Sequence, residues 1–279
     1  MRAALAYPWG MELSAYFDRI GYSGPTTPDF ATLDAVMRAH IAAVPFENLD
    51  VQLENPVTTD LPAIFAKLVG RRRGGWCYEN NGLLGWALGE LGFAVRRISA
   101  GVMRSVRGDA ALGNHLALVV TVEGRPWLVD VGFGGTLAAP IPLAAGMHAQ
   151  PPFSVGLTEA DGYWRFEERY ADGDPFSFDF LADPADEALF VRQCDALQSA
   201  PDSIFVQNLV VQQRQGDTHL TLRGRVLMER GPESESKHLI ASADEFVATL
   251  ADRFKLEVPG AASLWSKVCA RHAELFPEA

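Results

Sequence analysis

Arg73-Gly74-Gly75-Trp76-Cys77-Tyr78-Glu79-Asn80-Asn81 is the stretch from which the rest of this 279-residue chain can be read. Two glycines and a bulky aromatic precede a cysteine. Leu84, Ala87, Leu88 and Leu91 then recur on one side of a helical pattern, and Gly92 stands where a helix would stop. That order puts Cys77 at, or within a residue or two of, a helix N-terminus. Unpaired N–H groups and the positive end of the helix dipole favour a thiolate over a thiol there. The glycines allow close approach of the backbone to a substrate, or positive φ. Two readings are open at this point: Cys77 is a nucleophile, or it is a small buried hydrophobe, the commoner fate of a cysteine.

The composition narrows the field. Apolar residues make up 48% of the chain, enough for a large core, and the length suggests two or three packed units. No run of about 18 apolar residues exists, so no membrane-spanning helix is expected. The N-terminal MRAALAYPWGMELSAYF is broken by Pro8, Gly10 and Glu12, which argues against a secretory leader and for a cytoplasmic protein. Cys77, Cys194 and Cys269 are widely spaced and odd in number, forming neither a disulfide framework nor a zinc spacing. A net charge of −11, from 24 basic against 35 acidic residues, disfavours nucleic acid as a partner. There is no Walker-type loop and no Gly-x-Gly-x-x-Gly between a strand and a helix. The glycine-rich Gly132-Phe133-Gly134-Gly135 follows a strand with no evident helix after it.

Outward from Cys77, the period changes. Residues 11–92 read as mostly helical. Leu13, Tyr16, Phe17 and Ile20 lie at helical spacing before Gly21; Asp29 or Thr32 could cap a second helix; a third spans about 60–70 after Asp60-Leu61-Pro62. His40 on the second helix is more often structural than catalytic, and Val51-Gln52-Leu53 looks extended. From about 93 the pattern alternates: Val95, Ile98 and Val102, the pair 115–122 and 126–131, then 163–166 and 176–180 read as strands. Residues 183–198 look helical, 204–211 and 218–226 like strands, and 243–251 and 262–275 helical. Helices, a β block and a smaller mixed unit follow one another, giving an α+β chain with boundaries near 92 and 200.

A cysteine nucleophile needs a base, and the base an orienting partner. His115 opens the most apolar strand, and its hairpin partner carries Asp130 between Val129 and Val131. With Glu123-Gly124 as a two-residue turn, Val122 pairs with Arg125 and Ala117 falls opposite Asp130. His115 shares a face with Ala117, so it is a diagonal neighbour of Asp130, roughly 7–8 Å away before the side chains extend, and a bulge would bring them closer. A buried structural hydrogen bond explains this pair as well as catalysis does. With Cys77 at a helix start, a Cys–His–Asp triad becomes the better reading.

The chain resembles the arylamine N-acetyltransferase family over most of its length. The matching stretches are residues 15–22, Val44-Pro45-Phe46-Glu47-Asn48-Leu49-Asp50, the block around Cys77, Asn114-His115 and Leu128-Val129-Asp130-Val131-Gly132-Phe133-Gly134. The C-terminal third carries little motif beyond Ser203-Ile204-Phe205 and Asn208. The resemblance implies a helical domain (1–92) carrying the nucleophile, a β-barrel domain (93–200) carrying His and Asp, and an α/β lid (201–279), around a cysteine-protease-like core. It implies ping-pong acetyl transfer from acetyl-CoA, with no metal, to small aromatic amines or hydrazines. Cys77 is then acylated, His115 is the base and Asp130 orients it. Phe46, Phe133 and Phe205 match substrate-pocket positions, though each could be plain core, and Gly132, Gly134 and Gly135 match a turn against the coenzyme's pyrophosphate. Arg73 is expected to pair with Glu47 or Glu79. Alternatives within the same triad chemistry are a macrolactam-forming amide synthase and a cysteine hydrolase.

Overall fold

The computed structural model describes residues 10–277; the leader reading above falls largely on residues 1–9, which lie outside them. The chain leads with helices α1 (Leu13–Ile20), α2 (Phe30–Ala43), α3 (Leu49–Gln52), α4 (Leu61–Phe65) and α5 (Cys77–Glu90). Their ends follow local chemistry. Gly21 closes α1 at φ +68°, donating its N–H to Phe17 O. Asp29 caps α2, its carboxylate accepting the Thr32 N–H at 2.9 Å. Asp60 caps α4, with Pro62 in the first turn, and the expected 60–70 helix finishes as a wider π turn over Ala66–Gly70. Val51-Gln52-Leu53 is not extended: Leu49–Gln52 is a helical turn, nucleated where the Glu47 carboxylate accepts the Leu49 N–H at 2.6 Å. No helix among the described residues is long and apolar enough to cross a membrane.

Strand β1 (Phe46–Glu47) lies between α2 and α3. After α5 come β2 (Ala94–Val102), the short α6 (Arg104–Arg107), β3 (Leu112–Val122), β4 (Arg125–Val129), β5 (Ile141–Pro142), β6 (Gly146–Gln150), β7 (Phe153–Ala160), β8 (Tyr163–Tyr170) and β9 (Phe176–Phe180). Strands β2 to β9 form one sheet in the order β5-β4-β3-β2-β9-β8-β7-β6. Its two edges, β5 and β6, are consecutive in sequence. Four residues, from Pro142 to Gly146, span at most about 14 Å, whereas seven strand spacings in a flat sheet would separate the edges by about 34 Å. The sheet is therefore rolled into a nearly closed barrel. Ile98, Ala100, Ala117, Val119, Val155, Leu157, Phe166, Phe178 and Phe180 fill its inner face. Helix α5 lies on the outer face, so close that a Cβ on Gly85 would stand 3.3 Å from Leu118.

Helices α7 (Glu187–Ser199) and α8 (Ile204–Gln207) lead to a second sheet of β1, β10 (Val210–Gln215), β11 (Thr218–Arg223), β12 (Val226–Arg230) and β13 (Glu235–Leu239), in that order. Helices α9 (Ala243–Phe254) and α10 (Trp265–Leu275) cover it with Phe246, Leu250, Phe254 and Val268. Two expectations are corrected here. The 204–211 stretch is a helical turn before a strand that starts at Val210. Ser203 caps the turn, and the Asn48 amide donates to Phe205 O and Asn208 O at 2.8 Å each while accepting the Val210 N–H at 2.8 Å. The 218–226 stretch is two strands, bent at Gly224 with φ +56°.

Candidate active site

Cys77 is the first residue of α5, and Trp76 is its N-cap. The Glu79 carboxylate folds back to accept the Trp76 N–H at 3.2 Å, and the Asn80 amide donates to Gly75 O at 2.6 Å. The preceding glycines answer to packing. A Cβ on Gly74 would lie 2.4 Å from Pro45 O, and one on Gly75 would lie 2.7 Å from the Glu79 side chain. The helix start is thus clamped from behind, with Cys77 4% exposed.

The hairpin register matches the count from its turn. Glu123 and Gly124 take φ +51° and +76°, Val122 pairs with Arg125, and the ladder runs to Leu118 opposite Val129, with Asp130 next beyond it. His115 Nε2 donates to Asp130 Oδ2 at 2.7 Å. The other carboxylate oxygen, Oδ1, accepts from Asn81 Nδ2 and from the Gly132 N–H, each at 2.8 Å. Asn81 sits one turn beyond Cys77 on α5. Its Oδ1 accepts the Val131 N–H at 2.9 Å, and its Nδ2 also donates to Leu116 O at 2.6 Å. One amide therefore ties the Cys77 helix to the β3 backbone beside His115 and to Asp130 at the end of β4.

The irregularity in the barrel lies between β2 and β3, where Ala100 pairs with His115 but Gly101 with Leu112. The extra residues, Gly113 and Asn114, bulge toward α5. Gly113 O accepts the Tyr78 hydroxyl at 2.7 Å, and Asn114 O stands 3.9 Å from Cys77 Sγ. With Nε2 given to Asp130, Nδ1 is the imidazole nitrogen left to the Cys77 thiol. The ring is 2% exposed, between Phe133 at 5.2 Å and Phe178 at 5.0 Å. Burial works against a charged imidazole. The Asp130 carboxylate and the Cys77 thiol outweigh it and push the His115 pKa up to about 10.

The three sequence-flagged phenylalanines do not form one cluster. Phe46 and Phe205 face each other at 6.2 Å, with Trp76 5.4 Å from Phe205, in the core that also holds Cys77. Phe133 lies across His115 and stacks on Phe176 at 5.0 Å. The glycine turn presses on the site and on β10. A Cβ on Gly132 would stand 2.6 Å from Cys77 Cα, and one on Gly134 would stand 2.4 Å from Gln212. Gly134 and Gly135 take φ +71° and +86°. His219 Nε2 holds Gly134 O at 2.6 Å, and Arg214 donates to Gly135 O at 3.0 Å and Thr136 O at 2.8 Å.

Arg73 pairs with Glu47 at 2.7 Å and Asp50 at 3.3 Å, while Glu79 belongs to Lys67. His40 is fully buried between the Tyr16 hydroxyl at 3.0 Å and Asn80 at 3.4 Å, and burial drops its pKa to about 3. Asn81, Lys67, Arg214 and His219 carried no assigned role in the sequence. For Asn81 a signal exists, since it lies four residues after Cys77 and so shares its helix face. Among the described residues no group of three or more His, Cys, Asp or Glu side chains could hold a metal ion.

A family model described as N-acetyltransferase matches residues 29–263. The arylamine N-acetyltransferase of Mycolicibacterium smegmatis is 37% identical over 275 residues, 95% of this chain and 98% of that protein. A pineal gland isozyme of arylamine N-acetyltransferase from Gallus gallus is 32% identical, over 88% of this chain and 94% of its own length. The solved structure of the Mycobacterium marinum arylamine N-acetyltransferase in complex with CoA superposes with a TM-score of 0.84 at 33% identity, covering 93% of this chain and 98% of that one. By the family model and these relatives, the chain, an acetyltransferase, belongs to the arylamine N-acetyltransferase family.

Proposed function

We propose that this acetyltransferase moves the acetyl group of acetyl-CoA to the nitrogen of a small aromatic amine or hydrazine through an acetyl-Cys77 thioester. The observation that carries the reading is the 2.7 Å His115–Asp130 bond on the barrel's inner face, with the Cys77 helix start beside it. A His115 pKa held near 10 keeps an imidazolium beside Cys77 at neutral pH, the partner that a cysteine nucleophile uses.

In the first half-reaction Cys77 Sγ attacks the thioester carbonyl of the donor. The N–H groups that open α5, at Cys77 and Tyr78, have no intrahelical acceptor and suit the developing oxyanion. The C–S bond to coenzyme A breaks, its sulfur takes the proton from His115, and CoA leaves as the free thiol. In the second, the amine nitrogen attacks the acetyl-Cys77 carbonyl and neutral His115 accepts the N–H proton. Cys77 departs as thiolate, and the ion pair is restored. The Gly132–Gly135 turn fits the donor: with the Gly134 and Gly135 carbonyls held by His219 and Arg214 and the Gly132 N–H given to Asp130, the N–H groups after Gly132 serve the diphosphate. Phe133 beside His115, and Phe46 with Phe205 beside Trp76, suit a flat acceptor ring.

Intact-protein mass spectrometry after incubation with acetyl-CoA tests this. One acetyl increment on Cys77, discharged by an aromatic amine much faster than by water, is expected. Lack of the increment sinks the covalent route, and discharge by water at an equal rate makes the protein a hydrolase.

A further inference from the structure

Behind the nucleophile lies a buried cluster of five charged side chains that the transfer reaction does not use: Glu47, Asp50, Lys67, Arg73 and Glu79. Arg73 serves Glu47 and Asp50. Lys67, on the π turn before the motif, reaches Glu79 with Nζ 2.8 Å from Oε1 and 3.0 Å from Oε2, and Asp50 Oδ2 at 2.9 Å. Glu79 is 3% exposed, and its Oε2 accepts the N–H of Trp76, the residue directly before Cys77. A carboxylate at this position has two opposed effects. It fixes the first turn of α5, and its charge sets a negative field at the helix end where a thiolate must form.

Resting on the reading of Cys77 as nucleophile, we propose that Lys67 and Glu79 are positioning residues for it. Glu79 holds the turn that carries Cys77, and the Lys67 ammonium cancels the charge that this hold requires, so the helix N-terminus still favours the thiolate. The other groups facing Cys77 are His115 and Asp130 from the barrel, Tyr78 on its own helix and Cys194 from α7. At Cys194, another thiol of the same core, burial raises the pKa first and Cys77 next; Glu79 and Asp195 raise it further and Lys67 lowers it. Burial disfavours the Lys67 ammonium, but Glu79, Glu47 and Asp50 outweigh it and keep the pKa above the ordinary lysine value.

The test is the pH dependence of Cys77 alkylation by iodoacetamide, followed on the full chain by peptide mass spectrometry, with circular dichroism and thermal melting as fold controls. Lys67→Met is expected to raise the labelling midpoint by about half to one pH unit, because the positive charge facing Glu79 and Asp50 is lost. Lys67→Met combined with Glu79→Gln is expected to return the midpoint to the parent's, since glutamine keeps an oxygen for the Trp76 N–H without the charge. Glu79→Gln alone, which removes a negative charge and leaves the ammonium to Asp50, is expected to lower it, which decides the matter if Lys67→Met does not fold. A midpoint unmoved in the folded single variants overturns the proposal. So does a double variant that keeps the Lys67→Met shift, because the loss is then one of structure and not of charge. A parent protein whose Cys77 titrates as an ordinary thiol overturns the nucleophile reading together with this one. A reactive parent with unmoved variants overturns this one alone.

Discussion

Gly132→Ala probes the site without touching a reacting atom. Gly132 is not among the positive-φ residues, so alanine meets no backbone strain and the perturbation is purely steric. The added Cβ would lie 2.6 Å from both Asn81 Nδ2 and Cys77 Cα, and 3.0 Å from Cys77 Cβ, where ordinary contact starts at 3.4 Å. The turn and α5 must therefore part by about 0.8 Å (3.4 − 2.6). Neither neighbour yields freely: one is helix backbone, and the other is Asn81, bonded to Leu116, Asp130 and Val131. Overpacking of this kind costs about 1–3 kcal/mol of stability, which for a chain of this size lowers the melting temperature by about 2–5 °C. A misplacement approaching 1 Å costs up to about 100-fold in rate. We expect kcat/KM to fall roughly 10- to 100-fold, about 1.4–2.8 kcal/mol of transition-state stabilisation. Steady-state kinetics with acetyl-CoA and an aromatic amine, beside a thermal melt, measures both. A folded Gly132→Ala protein within about twofold of parent kcat/KM would refute the argument that the glycine turn sets the Cys77–His115 geometry.

Cys77→Ser is expected to fold as the parent does and to lose acyl transfer, because a serine hydroxyl is too weak an acid to replace a thiolate here; substantial turnover by the pure variant rules out the thioester. Asp130→Asn brings an NH2 group against either the His115 donor or the Asn81 and Gly132 donors. It should cost roughly 100-fold or more in kcat/KM and return Cys77 alkylation toward an ordinary thiol titration; an unshifted titration would remove Asp130 from the ion pair. Burial depresses His40 to about 3 and His219 to about 4, so between those values and the ordinary 6.5 the unfolded chain binds more protons than the folded one. These two histidines therefore pull the melting temperature down as pH drops from about 7 to 5, opposed in the same window by Glu168, which burial raises to about 7 so that the folded chain takes up its proton first. A folded His40→Gln, His219→Gln double variant that keeps the parent's slope between pH 7 and 5 contradicts the neutral, buried histidines. His115 has the opposite sign: its raised pKa adds stability that is full below 6.5 and is lost as pH rises through about 10.

Much of this was legible in the sequence because the signals involved are local. Helix caps at Asp29 and Asp60, the glycine stop at Gly21 and the start of α5 at Cys77 depend on hydrogen bonds within a few residues. The two-residue turn at Glu123-Gly124 fixed the β3–β4 register by counting, and the register brought His115 toward Asp130. At 204–211, where local pattern misled, a distant partner had intervened. The 204–211 stretch is strand-like in composition, but Asn48, 162 residues before Val210, bonds the chain there into a helical turn followed by a strand.

The amino-acid order by itself determined the helix start at Cys77, the hairpin that brings His115 toward Asp130, and the succession of helical, β and mixed segments. Tertiary structure decided who meets whom. Arg73 chose Glu47, 26 residues away, and left Glu79 to Lys67; Asn81 found Asp130 across 49 residues; Phe133 went to His115 while Phe46 joined Phe205; and two short edge strands rolled eight strands into a barrel. The physical reason is the range of the forces. Periodicity and capping act along the chain over about one helical turn, whereas a buried charge or amide takes whichever complementary group the packed core brings within about 3 Å.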